Sequence, residues 1–167
     1  MSFIDFVLEN NKRYASEFAG PLPLPPARNV AVVACMDARI DVYGVLGIGE
    51  GDAHVIRNAG GIIDEGTIRS LVISQRLLGT RTIVLIHHTD CGMLTFTDDS
   101  LRDTLRDDVG FVPPFAFGAF KNLEEDVRGA ALRLRSDPFL LHTEDIHGFI
   151  FDVATGQLNP VELGAVV

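Results

Sequence analysis

The 167-residue chain sets 14 Lys and Arg against 23 Asp and Glu, a formal net charge of −9, with 47% hydrophobic residues. That balance argues against nucleic acid or an anionic membrane as a partner, because counterion release needs a basic face, and no apolar run approaches the ~20 residues that span a bilayer. The length suits one domain with a real core, and the N-terminus lacks the basic and apolar regions of a secretory signal. A cytoplasmic protein is therefore expected, in which Cys35 and Cys91 serve a metal or catalysis in preference to a disulfide.

In chain order, residues 2–18 predict an amphipathic helix, with Phe3, Phe6, Val7, Asn10, Tyr14 and Phe18 near one face. The proline-rich stretch "GPLPLPPAR" then predicts an extended connector. Residues 1–28 are thus an N-terminal helical arm plus connector, and residues 29–167 the domain. Either a second subunit or the chain's own domain could cover the apolar face of the arm.

"NVAVVAC" (29–35), "AHVIRN" (53–58) and "TIVLIHH" (82–88) are short apolar runs that read as buried strands. Residues 64–79 predict a helix through Ile68, Leu71, Val72, Gln75 and Leu78, with Gly79 at its stop. A short helix is predicted over 100–108 with Ser100 as N-cap, and a longer one over 122–138, stopped by Pro138. "GFIFDVATGQLNPVE" predicts strand, tight turn and strand. The fold class that follows is single-domain α/β, with a mostly parallel central sheet flanked by helices and a C-terminal antiparallel hairpin strand. The segment "GFVPPFAFGAF" (110–120) fits neither helix nor strand. Its phenylalanines suit a satellite apolar cluster or the wall of an interface or site.

Strand C-termini share one edge of a parallel sheet, where ligands bind. Cys35 and His88 end two such strands, and the two-residue gap from His88 to Cys91 lets a turn bring both onto one ion. Two thiolates and an imidazole suit tetrahedral Zn²⁺, and alcohol dehydrogenases use this set with an open fourth position. Successive strand residues point to opposite faces, so His87 and His88 do not easily share an ion, and the spacing favours His88. His87 is then a neighbour of the site, a packing residue or a proton shuttle. Asp37 and Arg39 share a side with Cys35 if the chain stays extended. Arg39 would hold Asp37 ionised, and Asp37 could then orient the nucleophile or bind the metal itself as a fourth ligand. The Gly pair of "VIRNAGG" (55–61) allows close backbone approach, with Asn58 or Arg57 bracing the edge. His54, His142 and His147 have no ligand spacing.

"CMDAR", "RNAGG" and "HTDCG" together resemble the C-x-D-x-R, R-N-x-x and H-x-x-C-G motifs of the β-class carbonic anhydrases, in the same order. Members of that family often carry Gly where this chain has His87. The resemblance implies zinc held by Cys35, His88 and Cys91. It implies an Asp37–Arg39 dyad that alternates between a free, active state and one with Asp37 as fourth ligand. Asn58, Gly60, His87 and Gly92 would border the substrate pocket or support the ligands. The implied reaction is reversible hydration of CO₂ to bicarbonate and a proton, in a homodimer or homotetramer with the helical arm on the partner. Two other readings stay open: hydrolysis of a related linear substrate such as carbon disulfide, and a non-catalytic zinc-stabilised interaction module.

Overall fold

The computed structural model describes residues 1–164, so the last three residues of the expected 29–167 domain lie outside the described residues. Three apolar runs form the parallel strands β1 (Val30–Cys35), β2 (Ala53–Asn58) and β3 (Thr82–His88). A fourth parallel strand, β4 (Ile146–Phe151), joins β3, and the antiparallel β5 (Leu158–Val161) closes the sheet in the order β2-β1-β3-β4-β5. In β1, residues Ala31 to Cys35 are buried, as expected of a strand covered on both faces. The register sets Val30 beside both Ala53 and Thr82, so β1 and β3 run to the same edge.

Five helices and two short 3₁₀ turns complete the described residues only in part as the sequence suggests. Helix α1 (Phe3–Glu17) starts at a Ser2–Asp5 capping box, as its first turn demands. Helix α2 (Val42–Leu46) is an addition that sequence reasoning did not anticipate; it is capped by Asp41 and ended by a left-handed Gly47. Helix α3 (Glu65–Arg76) stops before Gly79. Helix α4 (Asp98–Val109) begins two residues earlier than expected, because Thr97 and not Ser100 is its cap. Ser100 instead returns its hydroxyl to the Thr97 backbone N–H at 3.1 Å. Helix α5 (Leu123–Arg135) starts at Asn122 and ends ahead of Pro138.

One sheet face buries Val33, Leu71, Ile83, Leu85 and Leu134 under α3 and α5. The other gathers Val32, Ala34, Ile86, Ile40, Val42, Met93 and Phe120 around both cysteines. No residue of α1 is buried, and Phe3 is 75% and Phe6 54% exposed. The apolar face of the arm is therefore not covered by its own domain. Among the described residues, no helix is long and apolar enough to cross a membrane.

The phenylalanine segment divides its roles. Phe120 joins the core, Phe111 and Phe115 are exposed, and Pro114 to Ala116, Gly118 and Ala119 wall an open cavity of about 780 Å³ with Ile62, Asp64, Asp126 and Arg133. Two residues one turn apart on α4 hold it. The Asp98 carboxylate accepts backbone N–H groups of Phe117 (2.8 Å), Gly118 (3.3 Å) and Ala119 (2.8 Å). Arg102 donates to the carbonyl oxygens of Pro113 (3.1 Å) and Phe115 (2.5 Å).

Those N–H groups, Ala119 first, hold the Asp98 carboxyl below its ordinary range against the opposing effect of burial. A lowered folded-state pKa stabilises the fold above the unfolded value of about 4 and ceases to do so as pH falls through the folded value. Asp98→Asn is expected to lower stability at pH 7, with the gap to the parent closing below about pH 4, as read by urea unfolding at a series of pH values.

Candidate metal centre

Cys35, the last residue of β1, and His88, the last of β3, meet Cys91 at the carboxyl edge of the sheet. One donor atom from each lies within 4.8 Å of the others, and all three residues are buried. His88 Nδ1 lies 2.9 Å from the Thr89 carbonyl oxygen, which can only accept, so this nitrogen carries the proton. His88 Nε2 is then a lone-pair donor, and it has no hydrogen-bond partner among the described residues. A buried unpaired nitrogen costs about 1–3 kcal/mol, and a cation between it and the sulfurs removes that cost.

The thiols fit the same conclusion. Cys91 hydrogen-bonds to Cys35 and, against burial, holds the Cys35 thiol well below the ordinary cysteine range, helped by His88 and the backbone at Asp37 and Gly60. The same contact, with burial, pushes Cys91 far up. Thiols bind a dication as thiolates, so zinc uptake by such a pair releases protons. Burial, the largest influence on His88, lowers its pKa, but the Cys35 thiolate, the Thr89 carbonyl and Asp37 together raise it overall. Two soft sulfurs and one nitrogen, buried together and short of positive charge, fit zinc.

Asp37 faces this cluster, with Oδ2 3.7 Å from His88 Nε2. The extended path expected for residues 35–39 is not what brings Asp37 and Arg39 together. The chain turns after Cys35: the Arg39 backbone N–H donates to Asp37 Oδ1 at 2.9 Å, and the Ile40 N–H to the Asp37 carbonyl at 3.1 Å. Asp is suited to such a turn because its side chain can bond the backbone two residues on. Arg39 then grips the carboxylate as a fork, Nε to Oδ1 at 2.9 Å and Nη2 to Oδ2 at 2.8 Å. That grip, followed by the backbone bond, holds the Asp37 carboxyl far below the ordinary range, so it is ionised and can only accept.

The supporting residues are placed unevenly. Arg57 donates twice to the Cys35 carbonyl, at 2.9 and 2.8 Å, and once to the Asp37 carbonyl at 2.6 Å. Asn58 does not face the ion site; its amide donates to the Ile62 carbonyl (2.8 Å) and to Thr67 Oγ1 (3.0 Å), tying β2 to α3. Gly60 and Gly61 both have positive φ. A Cβ on Gly61 would lie 2.9 Å from the Cys35 backbone nitrogen, so this corner must be bare to pass behind the ligand strand. Gly92 has open space at its Cβ position and no such constraint.

His87 turns away from the cluster, as strand alternation requires. It is 1% exposed, its Nε2 lies 2.7 Å from Asp126 Oδ2 on α5, and its ring packs 5.3 Å from that of Phe120. Asp126 carries no motif in the sequence, and only the packing of α5 on β3 brings it there. His54 and His147 bond Ser74 and Asp145, and His142 lies 3.6 Å from Glu144, all away from the Cys35, His88 and Cys91 cluster.

Comparison with known proteins settles the family. The carbonic anhydrase family profile matches residues 30–114, and β-carbonic anhydrase 1 of Mycobacterium tuberculosis is 55% identical over 161 residues, covering 96% of this chain and 99% of that one. The chain belongs to the β-carbonic anhydrases. The crystal structure of the Streptococcus mutans carbonic anhydrase superposes with a TM-score of 0.90 at 41% identity, covering 97% of this chain and 99% of the other. A carbon disulfide hydrolase of Acidithiobacillus thiooxidans is 34% identical over 172 residues, covering 91% of this chain and 85% of that protein. Family members are zinc enzymes, and the Cys35, His88 and Cys91 cluster is compatible with that ion.

If these three residues are the ligands, Cys35→Ser and His88→Ala will lose most of their zinc while His87→Ala keeps it. Metal analysis of the purified variants reads this directly, and the opposite pattern for the two histidines would reverse the assignment.

Proposed function

We propose that Cys35, His88 and Cys91 hold the zinc with which this β-carbonic anhydrase interconverts CO₂ with bicarbonate and a proton, and that Asp37 and Arg39 are its catalytic dyad. The observation that carries this reading is an ionised carboxylate, fixed by a guanidinium fork, facing a buried Cys₂His donor set at 3.7 Å. A purely structural zinc needs no such pair beside it. Zinc at such a site supplies Lewis acidity, lowering the pKa of water toward about 7 so that hydroxide is available near neutral pH.

The chain's own residues do the rest. Asp37 accepts the O–H of the nucleophile, which directs an oxygen lone pair at the CO₂ carbon. Arg39 neutralises Asp37 and holds it off the ligands. Should the fork open, Asp37 is near enough to serve as a fourth ligand and close the site. Arg57 fixes the carbonyls on either side of Met36 and so sets where the Asp37 carboxylate stands. The carbon balance is simple: water adds to CO₂, bicarbonate leaves, and the proton passes to buffer.

Residues 1–28 act in this proposal as an arm. The bare apolar side of α1, with Phe3, Phe6 and Phe18 all exposed, suits packing on the partner of a homodimer, alone or within a homotetramer. The net charge of −9 suits a soluble cytoplasmic enzyme with neither nucleic acid nor membrane as partner.

Stopped-flow CO₂ hydration on metal-quantified protein tests the assignment. Asp37→Ala should cost about 100-fold or more in turnover, the usual worth of a positioned acid–base group, with zinc retained. Turnover of carbon disulfide but not CO₂ would move the chain to its hydrolase relatives. A zinc-replete protein that turns over neither would make it a structural module.

A further inference from the structure

Arg39 is held from two sides. Besides its fork on Asp37, Nη1 donates to Asp90 Oδ2 at 2.8 Å and Nη2 donates to the Asp90 carbonyl at 3.0 Å. Asp90 lies between His88 and Cys91, so this guanidinium ties the turn after β1 to the segment that carries the other two sulfur and nitrogen donors. The backbone at Asp90 is left-handed, with φ 55, a conformation in which Asp and Asn are enriched over most other residues. The residue therefore accepts some backbone strain in a position that aims both its carboxylate and its carbonyl at one side chain. Arg39 itself is 46% exposed, and nothing else among the described hydrogen bonds restrains its guanidinium.

We propose that Asp90 is a positioning residue for the Asp37–Arg39 dyad: by anchoring Arg39 it keeps the guanidinium where Asp37 must return, and so favours the state in which Asp37 stands off the metal. This rests on the dyad reading above. An exposed ion pair contributes little to overall stability, so the effect of Asp90 falls on the position of Arg39 more than on folding. Without the Asp90 carboxylate, Arg39 keeps only the Asp90 carbonyl as an anchor outside Asp37, and its guanidinium turns toward solvent more often. Asp37 is then paired less of the time and occupies the fourth coordination position more of the time.

The test uses Asp90→Asn, which keeps the left-handed backbone and the carbonyl acceptor and removes only the charge, with Asp90→Gly as a second variant that tolerates the same φ. Zinc content and urea midpoint should match the parent. Azide is then titrated into the cobalt-substituted proteins and followed by visible absorption, since azide needs the position that Asp37 would take. Both variants should bind azide about three- to tenfold more weakly, as expected for losing one partly exposed charge-assisted bond. Arg39→Ala serves as reference and should weaken azide at least as much. Unchanged azide affinity in Asp90→Asn beside a weakened Arg39→Ala would overturn the role of Asp90 and leave the dyad standing. Unchanged affinity in Arg39→Ala would instead refute the dyad reading itself. Loss of zinc or of stability in both Asp90 variants would make the residue a structural one and equally end the proposal.

Discussion

Parallel pairing of β1 with β3 is the constraint on which everything else here depends. It alone carries Cys35 and His88, remote in sequence, to one edge of the sheet, and the register from Val30–Thr82 to Ala34–Ile86 fixes how far each strand runs. Slipping the register by one residue would turn His87 toward the sulfurs and His88 into the apolar space under α5. The burial of Val32 and Ala34 on one face and Val33 and Leu85 on the other makes such a slip costly, because it would exchange the two packed surfaces. The donor cluster is therefore stabilised by aliphatic packing several residues away from any donor atom.

Around that frame the proposed ligands are held mostly by backbone. The bare Gly61 corner passes against the Cys35 nitrogen, a hydrogen bond to Thr89 sets the His88 tautomer, and a turn closed by the Asp37 side chain sets the Asp37–Arg39 pair. These are short-range arrangements with little freedom to adjust. Such rigidity suits a reaction on a small linear molecule that offers few handles for binding, where positioned charge and not substrate contact must lower the barrier.

Much of this was legible in the sequence, for physical reasons. Strands buried on both faces leave continuous apolar runs, so β1, β2 and β3 could be bounded within a residue, and alternation along β3 separated the directions of the two histidines. The antiparallel end was legible from its turn. What escaped was tertiary. Helix α2 is too short for a periodic pattern, and its cap is an ordinary aspartate. The start of α4 depended on which of two hydroxyl residues became the cap, since Thr97 and Ser100 bond each other reciprocally. Arg57 was recognisable as a brace, but not its acceptors. Asp90 lies within the "HTDCG" motif, but a carboxylate at that position reads as another surface charge until the fold brings Arg39 to it. Asp126 and Asp98 act on elements that no spacing rule connects to them.

The carbonyl of Cys35 illustrates how this sheet ends. Past Asn58 on β2 no further strand residue pairs with β1, and Arg57 takes the Cys35 oxygen with two donors. A side chain from the neighbouring strand thus does for β1 what a capping residue does for a helix: it satisfies the last open acceptor and lets the chain change direction. The boundary between regular structure and reactive loop is drawn here by a cation and not by a proline or glycine. The point at which the sheet stops is consequently as exact as a guanidinium hydrogen bond, and the first residue past it is free to depart from strand geometry without leaving an unpaired polar group behind.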